Sequence, residues 1–171
     1  MTDVLVISGP AGVGKSSTAF EVSLRLQAEG TAHALIDTDE LDHIYPIPAD
    51  LPRITERNLY AVWKTFSERG ADRLILVGVH LDRPSELAWI ARAIPDARFT
   101  LIRLIASEAT LQDRVSSREV GSGMEAQMER TRRQLGRPAV AFDAAPRRNP
   151  AEIEQLAVQP PADVLALDPG A

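Results

Sequence analysis

Residues 9–16 read Gly-Pro-Ala-Gly-Val-Gly-Lys-Ser, and the chemistry of phosphate binding accounts for each fixed position. Glycines let a backbone wrap closely around an anion and aim successive N–H groups inward. A helix that starts at the lysine adds its positive dipole end to the same anion. The Lys15 ammonium then reaches the β- and γ-phosphate oxygens of a nucleoside triphosphate, and the Ser16 hydroxyl suits Mg²⁺. This assigns Gly9, Ala11, Gly12, Val13, Gly14, Lys15, Ser16 and Ser17 to the triphosphate. Of the 19 basic residues only Lys15 and Lys64 are lysines, so a scarce residue type sits where that chemistry requires it. A turn that merely joined a strand to a helix would not require Lys-Ser at its end.

Three further groups bear on what is done with the triphosphate. Asp37-Thr-Asp39 directly follows an apolar run. In an open parallel sheet the carboxyl ends of the strands share one rim, so both acids should face the glycine loop. Asp37 is placed to hold Mg²⁺ through water beside Ser16, and Asp39 to accept or orient the proton of an attacking hydroxyl. Spacing alone does not rank the two, and the roles can be exchanged; a turn capped by its own aspartates is the plain alternative. Arg114 and Arg118 are four apart and so share a helix face, ahead of Gly121-Ser-Gly123. Guanidiniums there would close over transferring phosphates with a short lid at about 119–136; otherwise they are a solvated face. Third, Asp39, Tyr45, Arg53, Arg57, Gly78 and His80 are the candidate acceptor contacts, with Gly78 giving a substrate room to approach the backbone. The three histidines lack metal-ligand spacing, and Trp63 and Phe66, on an apolar stripe, read as core.

The elements that must position these residues alternate in type. Short apolar strands are expected at 4–8, 32–36, 73–79, 98–105 and 164–167. Helices are expected at 15–28, stopped by Gly30, across 54–66, stopped by Gly70, and at 84–93, with others from Ser107 to about 118 and from about 125 into the 130s. Strands separated by helices imply a parallel sheet with helices on both faces. The 171 residues suit one domain spanning 1–171.

Composition narrows the partners. With 24 acidic residues the formal charge is −5, which argues against nucleic acid or an anionic membrane as the main partner. No apolar run approaches the ~18 residues needed to span a bilayer. The first residues lack the charged and apolar segments of a secretion signal, and there is no cysteine. A cytoplasmic monomer or homodimer is the expectation.

Together these residues resemble the small P-loop kinases, a group that includes shikimate, gluconate, adenylylsulfate and nucleoside monophosphate kinases and chloramphenicol phosphotransferase. The resemblance covers roughly residues 4–118 and rests on residues 9–17, the Asp-x-Asp after the second strand, and Leu111-x-x-Arg114-x-x-x-Arg118. It implies a three-layer α/β P-loop fold with five parallel strands in the order 2-3-1-4-5. It also implies transfer of the ATP γ-phosphate to a hydroxyl or phosphate of a small-molecule acceptor, with Mg²⁺. By analogy with shikimate-type kinases, and with an aspartate followed seven residues later by proline in chloramphenicol phosphotransferase (here Asp39 and Pro46), Asp39 is the acceptor-side acid. The switch and guanine-reading motifs of GTPases are missing, and the third strand has no terminal acid, since Asp82 lies three residues past Val79. Two alternatives stand beside this reading: a nucleoside or nucleotide kinase, and a nucleotide-binding regulatory protein with little or no turnover.

Overall fold

A computed structural model describes residues 1–106 together with Ala166 and Leu167. In chain order the elements are β1 (Thr2–Ser8), α1 (Lys15–Ala28), β2 (Ala34–Asp37), α2 (Leu51–Ser67), β3 (Arg73–Val77), α3 (Pro84–Ala93), β4 (Ala97–Leu104) and the two-residue β5 (Ala166–Leu167). A single 3-10 turn, Thr38–Leu41, follows β2. The elements expected from Ser107 to the 130s, and the lid, lie outside the described residues.

All strand pairs are parallel. Val6 of β1 lies opposite Leu76 of β3 on one side and Leu101 of β4 on the other. β2 joins the outer edge of β3 with Ile36 opposite Leu76. The order is therefore β2-β3-β1-β4, continued by Ala166 and Leu167 beside Arg103 and Leu104.

Strand alternation divides the core in two. Val4, Val6, Leu74 and Leu76 point to one face and pack with Leu59 and Trp63 of α2 and with Leu87 and Ile90 of α3. Leu5, Ile7, Ile75 and Val77 point to the other and pack with Ala19, Val22 and Leu26 of α1. Buried on both faces, these strands read as continuous apolar runs. The result is three layers, α1 on one side of the sheet and α2 with α3 on the other.

Local chemistry sets the ends of the elements. α1 and α2 both stop through a bond that reaches back five residues, from Thr31 N–H to the Leu26 carbonyl and from Ala71 N–H to the Phe66 carbonyl. β3 ends at Val77, two residues earlier than the apolar run suggests. The Thr38 hydroxyl donates to the Val77 carbonyl at 2.9 Å and takes the place of a further ladder bond. The chain turns at Gly78, where a Cβ would run into the Thr38 hydroxyl and the Leu81 side chain. Thr38 is buried and its hydroxyl engaged, so it has little room to yield. Gly78→Ala should therefore lower stability by about 2 kcal/mol through overpacking, read as a reduced urea midpoint at unchanged slope.

Candidate functional site

The loop between β1 and α1 is closed on itself. Gly9, Gly12 and Gly14 take φ values of 144°, 81° and 105°, which side-chain-bearing residues rarely adopt. Val13 plugs into the α1-side core, and its N–H donates to the Pro10 carbonyl at 3.3 Å. The buried Lys15 ammonium donates to the same carbonyl at 3.1 Å. A Cβ on Gly9 would come within 2.6 Å of the Leu104 carbonyl oxygen at the end of β4, so only glycine fits that contact. α1 begins at Gly14 without a side-chain cap and with no acidic residue in its first turn. Its amide end is left for an anion.

Across the rim, Asp37 ends β2 and caps the 3-10 turn. One of its carboxylate oxygens accepts from Asp39 N–H at 3.1 Å, and the other accepts from the Ser16 hydroxyl at 3.4 Å. The chain thus brings Lys15, Ser16, Asp37 and Asp39 to one place. Burial raises the Asp39 carboxyl above the ordinary carboxylate range, and the negative charges of Asp37 and Asp42 add to this. Lys15 and His43 pull the other way. The hydroxyl and carboxylate oxygens of Ser16 and Asp37 are the donor type that Mg²⁺ prefers.

Next to Asp39 opens a cavity of about 260 Å³. Asp39, Asp42, Thr55, His80, Glu86 and Trp89 are among the residues that line it. The Thr55 hydroxyl lies 3.5 Å from the Asp42 carboxylate, and the Trp89 indole N–H donates to Glu86 at 2.6 Å. Asn58 donates to the Leu41 carbonyl at 2.7 Å and so ties the Asp39 turn to α2. Among the described residues, no three His, Asp or Glu side chains are grouped to hold a metal ion. None of the described helices is long and apolar enough to cross a membrane.

The candidate acceptor contacts separate into two sets. Asp39 and His80 line the cavity. Tyr45 is 93% exposed, and Arg53 and Arg57 lie on the solvent side of α2; none of the three lines it. Gly78 adjoins the cavity, but Thr38 and Leu81 fill the space that its missing side chain leaves, so that space belongs to packing. Phe66, read as core, is 38% exposed, whereas Trp63 is buried. Arg114 and Arg118 lie outside the described residues.

Asp82, set aside in the sequence because it lies past the third strand, is the centre of a buried cluster whose other members the sequence did not indicate. The Ser8 hydroxyl donates to Asp82 at 2.6 Å, Asp82 N–H returns a bond to Ser8 at 3.3 Å, and Arg103 of β4 pairs with the second Asp82 oxygen at 3.1 Å. Ser8 and Asp82 are buried, and the Arg103 side chain is 12% exposed. The cluster fastens the residue before Gly9 to the turn between β3 and α3 and, through Asp82, to β4. Glu86, Thr55 and Trp89 were also missed as cavity residues; the only sequence signal was that Glu86 and Trp89, three apart, share a helix face.

Among solved structures the chain is similar to a gluconokinase from Sinorhizobium meliloti 1021, at 22% identity and TM-score 0.50, over 91% of this chain and 89% of that one. It is also similar to the Deinococcus radiodurans tunicamycin resistance protein, at 18% identity and TM-score 0.49, over 92% and 95% of the two chains. A third is the Mycobacterium tuberculosis APS kinase in complex with AMPPNP and APS, at 21% identity and TM-score 0.43, over 74% and 72%. No family model and no curated protein matches the chain. The fold is that of the P-loop kinase-like group.

The Ser8–Asp82–Arg103 cluster makes a stability prediction that is independent of any ligand. Asp82→Ala removes the acceptor of two bonds and the counter-charge of a nearly buried guanidinium. It should cost about 3 kcal/mol, measured by chemical denaturation, against 0.5 kcal/mol or less, on the order expected for an exposed pair, for Glu21→Ala at the solvent-exposed Arg25–Glu21 contact.

Proposed function

We propose that the chain is a cytoplasmic, single-domain phosphotransferase that uses ATP and Mg²⁺ to phosphorylate a hydroxyl or phosphate group of a small-molecule acceptor. One observation carries this reading. The lysine-closed glycine loop meets Asp37 through Ser16, and Asp39 then opens from the same rim into a separate cavity. A protein that only sensed nucleotide would need the loop but not an acid-lined compartment beside it.

The chain's own residues supply the following parts. Amides of residues 11–14 and the α1 amino end hold the triphosphate oxygens, which replace the Pro10 carbonyl as an acceptor for Lys15. Lys15 then holds charge at the β- and γ-phosphates as the transfer proceeds. Ser16 and Asp37 would supply oxygen donors to Mg²⁺, which when bound would neutralise phosphate charge. Asp39 holds the acceptor hydroxyl and takes its proton as the oxygen–phosphorus bond forms. The bond between the γ-phosphorus and the bridging oxygen breaks, and ADP leaves. Arg114 and Arg118 are proposed to close on the transferring group. The similarity to the gluconokinase structure supports the fold on which this reading stands.

Lys15→Ala should lower acceptor-stimulated ADP release by about 10²–10³ with an unchanged circular dichroism spectrum. Retained turnover would remove the loop from the chemistry. Asp39→Asn should keep Mg–ATP affinity in calorimetry and lose about 10² or more in turnover; near-normal turnover would instead move the acceptor-side role to another group.

A further inference from the structure

Among the described residues that line it, the cavity beside Asp39 carries more negative than positive charge. Its ionisable walls are Asp39, Asp42 and Glu86, against His80 as the only base among the described lining residues. No described residue forms an ion pair with any of the three carboxylates. The described ion pairs lie elsewhere, on Glu21, Glu68, Asp72, Glu56, Asp3 and Asp82.

These carboxylates are also held in place. Glu86 sits in the first turn of α3 and accepts from the buried Trp89 indole. Asp42 sits at the end of the 3-10 turn with the Thr55 hydroxyl beside it, and Thr55 is itself anchored to the Leu51 carbonyl at 3.0 Å. They do not form a metal cage, because no such grouping exists among the described residues. The remaining walls are mostly apolar, with Leu51, Pro52, Val79 and Leu81 beside Thr38. A low-dielectric pocket that presents negative charge repels an anion and favours a compact cation. At about 260 Å³ it lies just below the ~300–1,000 Å³ usual for drug-sized ligands, which suits a small acceptor.

We infer that the acceptor is a small alcohol that also carries a protonated amine, its ammonium held between Asp42 and Glu86 while its hydroxyl is presented to Asp39. This rests on the phosphotransferase reading and deepens it. The geometry divides the labour within the cavity. Asp39, on the rim with Lys15 and Asp37, handles the reacting oxygen. Asp42 and Glu86, which hold neither Ser16 nor the glycine loop in any described bond, select by charge. The step remains a balanced transfer: the acceptor oxygen gains the phosphoryl group, its proton passes to Asp39, and the bridging oxygen leaves with ADP. The ammonium keeps all its protons throughout.

The test uses the full chain with Mg–ATP and small metabolites of a bacterial extract, separated by ion exchange into cationic, neutral and anionic pools. Calorimetry first establishes Mg–ATP binding. ADP release stimulated by the cationic pool is the expected result. In Asp42→Asn and in Glu86→Gln the KM for the active cationic fraction should rise about tenfold or more, the loss expected for a charge-assisted contact. The Mg–ATP dissociation constant and melting temperature should match those of the unaltered protein. Stimulation by the neutral or anionic pool alone, or by the cationic pool with KM unmoved in both variants, overturns the inference and leaves the phosphotransferase reading standing. Stimulation by no pool, with Mg–ATP bound, overturns that reading and this inference with it.

Discussion

β1 is hydrogen-bonded along both edges, to β3 and to β4, and the chemistry at the rim depends on that central position. Because every pair is parallel, the carboxyl ends of β1, β2, β3 and β4 emerge on the same side of the sheet. The chain leaves β1 at Ser8 and enters the glycine loop at once. That exit is held from three directions: Ser8 by Asp82, Asp82 by Arg103, and Gly9 against the Leu104 carbonyl. Val13, sunk in the α1-side core, holds the far end. The loop is thus fixed by contacts that owe nothing to a ligand, and the cost of ordering it is met in folding rather than in binding.

The rim also carries an electrostatic load. Asp37, Asp39 and Asp42 occur within six residues of one another, and the like charges help to raise the Asp39 carboxyl. Folding alone gains nothing from three acids packed so closely. The structure offsets part of the load through donors, from Ser16 and the Asp39 amide to Asp37 and from Lys15 across the loop. Perturbed groups beside a cleft are a mark of functional sites, and here the perturbation lies between the glycine loop and the cavity.

Much of this was legible in the sequence where the determinants are local. The glycine loop is contiguous, so its residue types specify its own conformation, and α1 spans the residues its apolar spacing indicates. The parallel sheet with helices on both faces follows from alternating strands and helices with buried strands, whereas the order β2-β3-β1-β4 was implied only by the resemblance to the small P-loop kinases. The acceptor side was harder because it depends on helix phase and on distant contacts. Leu51, Thr55 and Leu59 recur every four residues and define the inward face of α2. Arg53 and Arg57 fall two residues off that row, which turns them outward, so periodicity would have excluded them. Phe66 does lie on the apolar stripe, but the last turn of α2 lies beside edge strand β2, with Leu35 and Gly70 around it, and part of the ring stays in solvent. Asp82 was seen only as an acid too far past the third strand to end it, because its partner Ser8 is 74 residues away, a pairing no local pattern encodes.

The two cores divide between the two halves of the site. Val13 and Ala19 tie the glycine loop and α1 to the face of the sheet formed by Ile7, Ile75 and Val77. Leu81 and Trp89 belong to the opposite core and at the same time form walls of the cavity. The loop can therefore stay the same while the cavity changes, since a substitution in α2 or α3 reshapes one without unseating the other. The coupling between them is confined to the rim, where the Thr38 hydroxyl binds the β3 carbonyl and Asp37 meets Ser16. A fold built this way lets the cavity change in shape and charge while the glycine loop keeps its conformation.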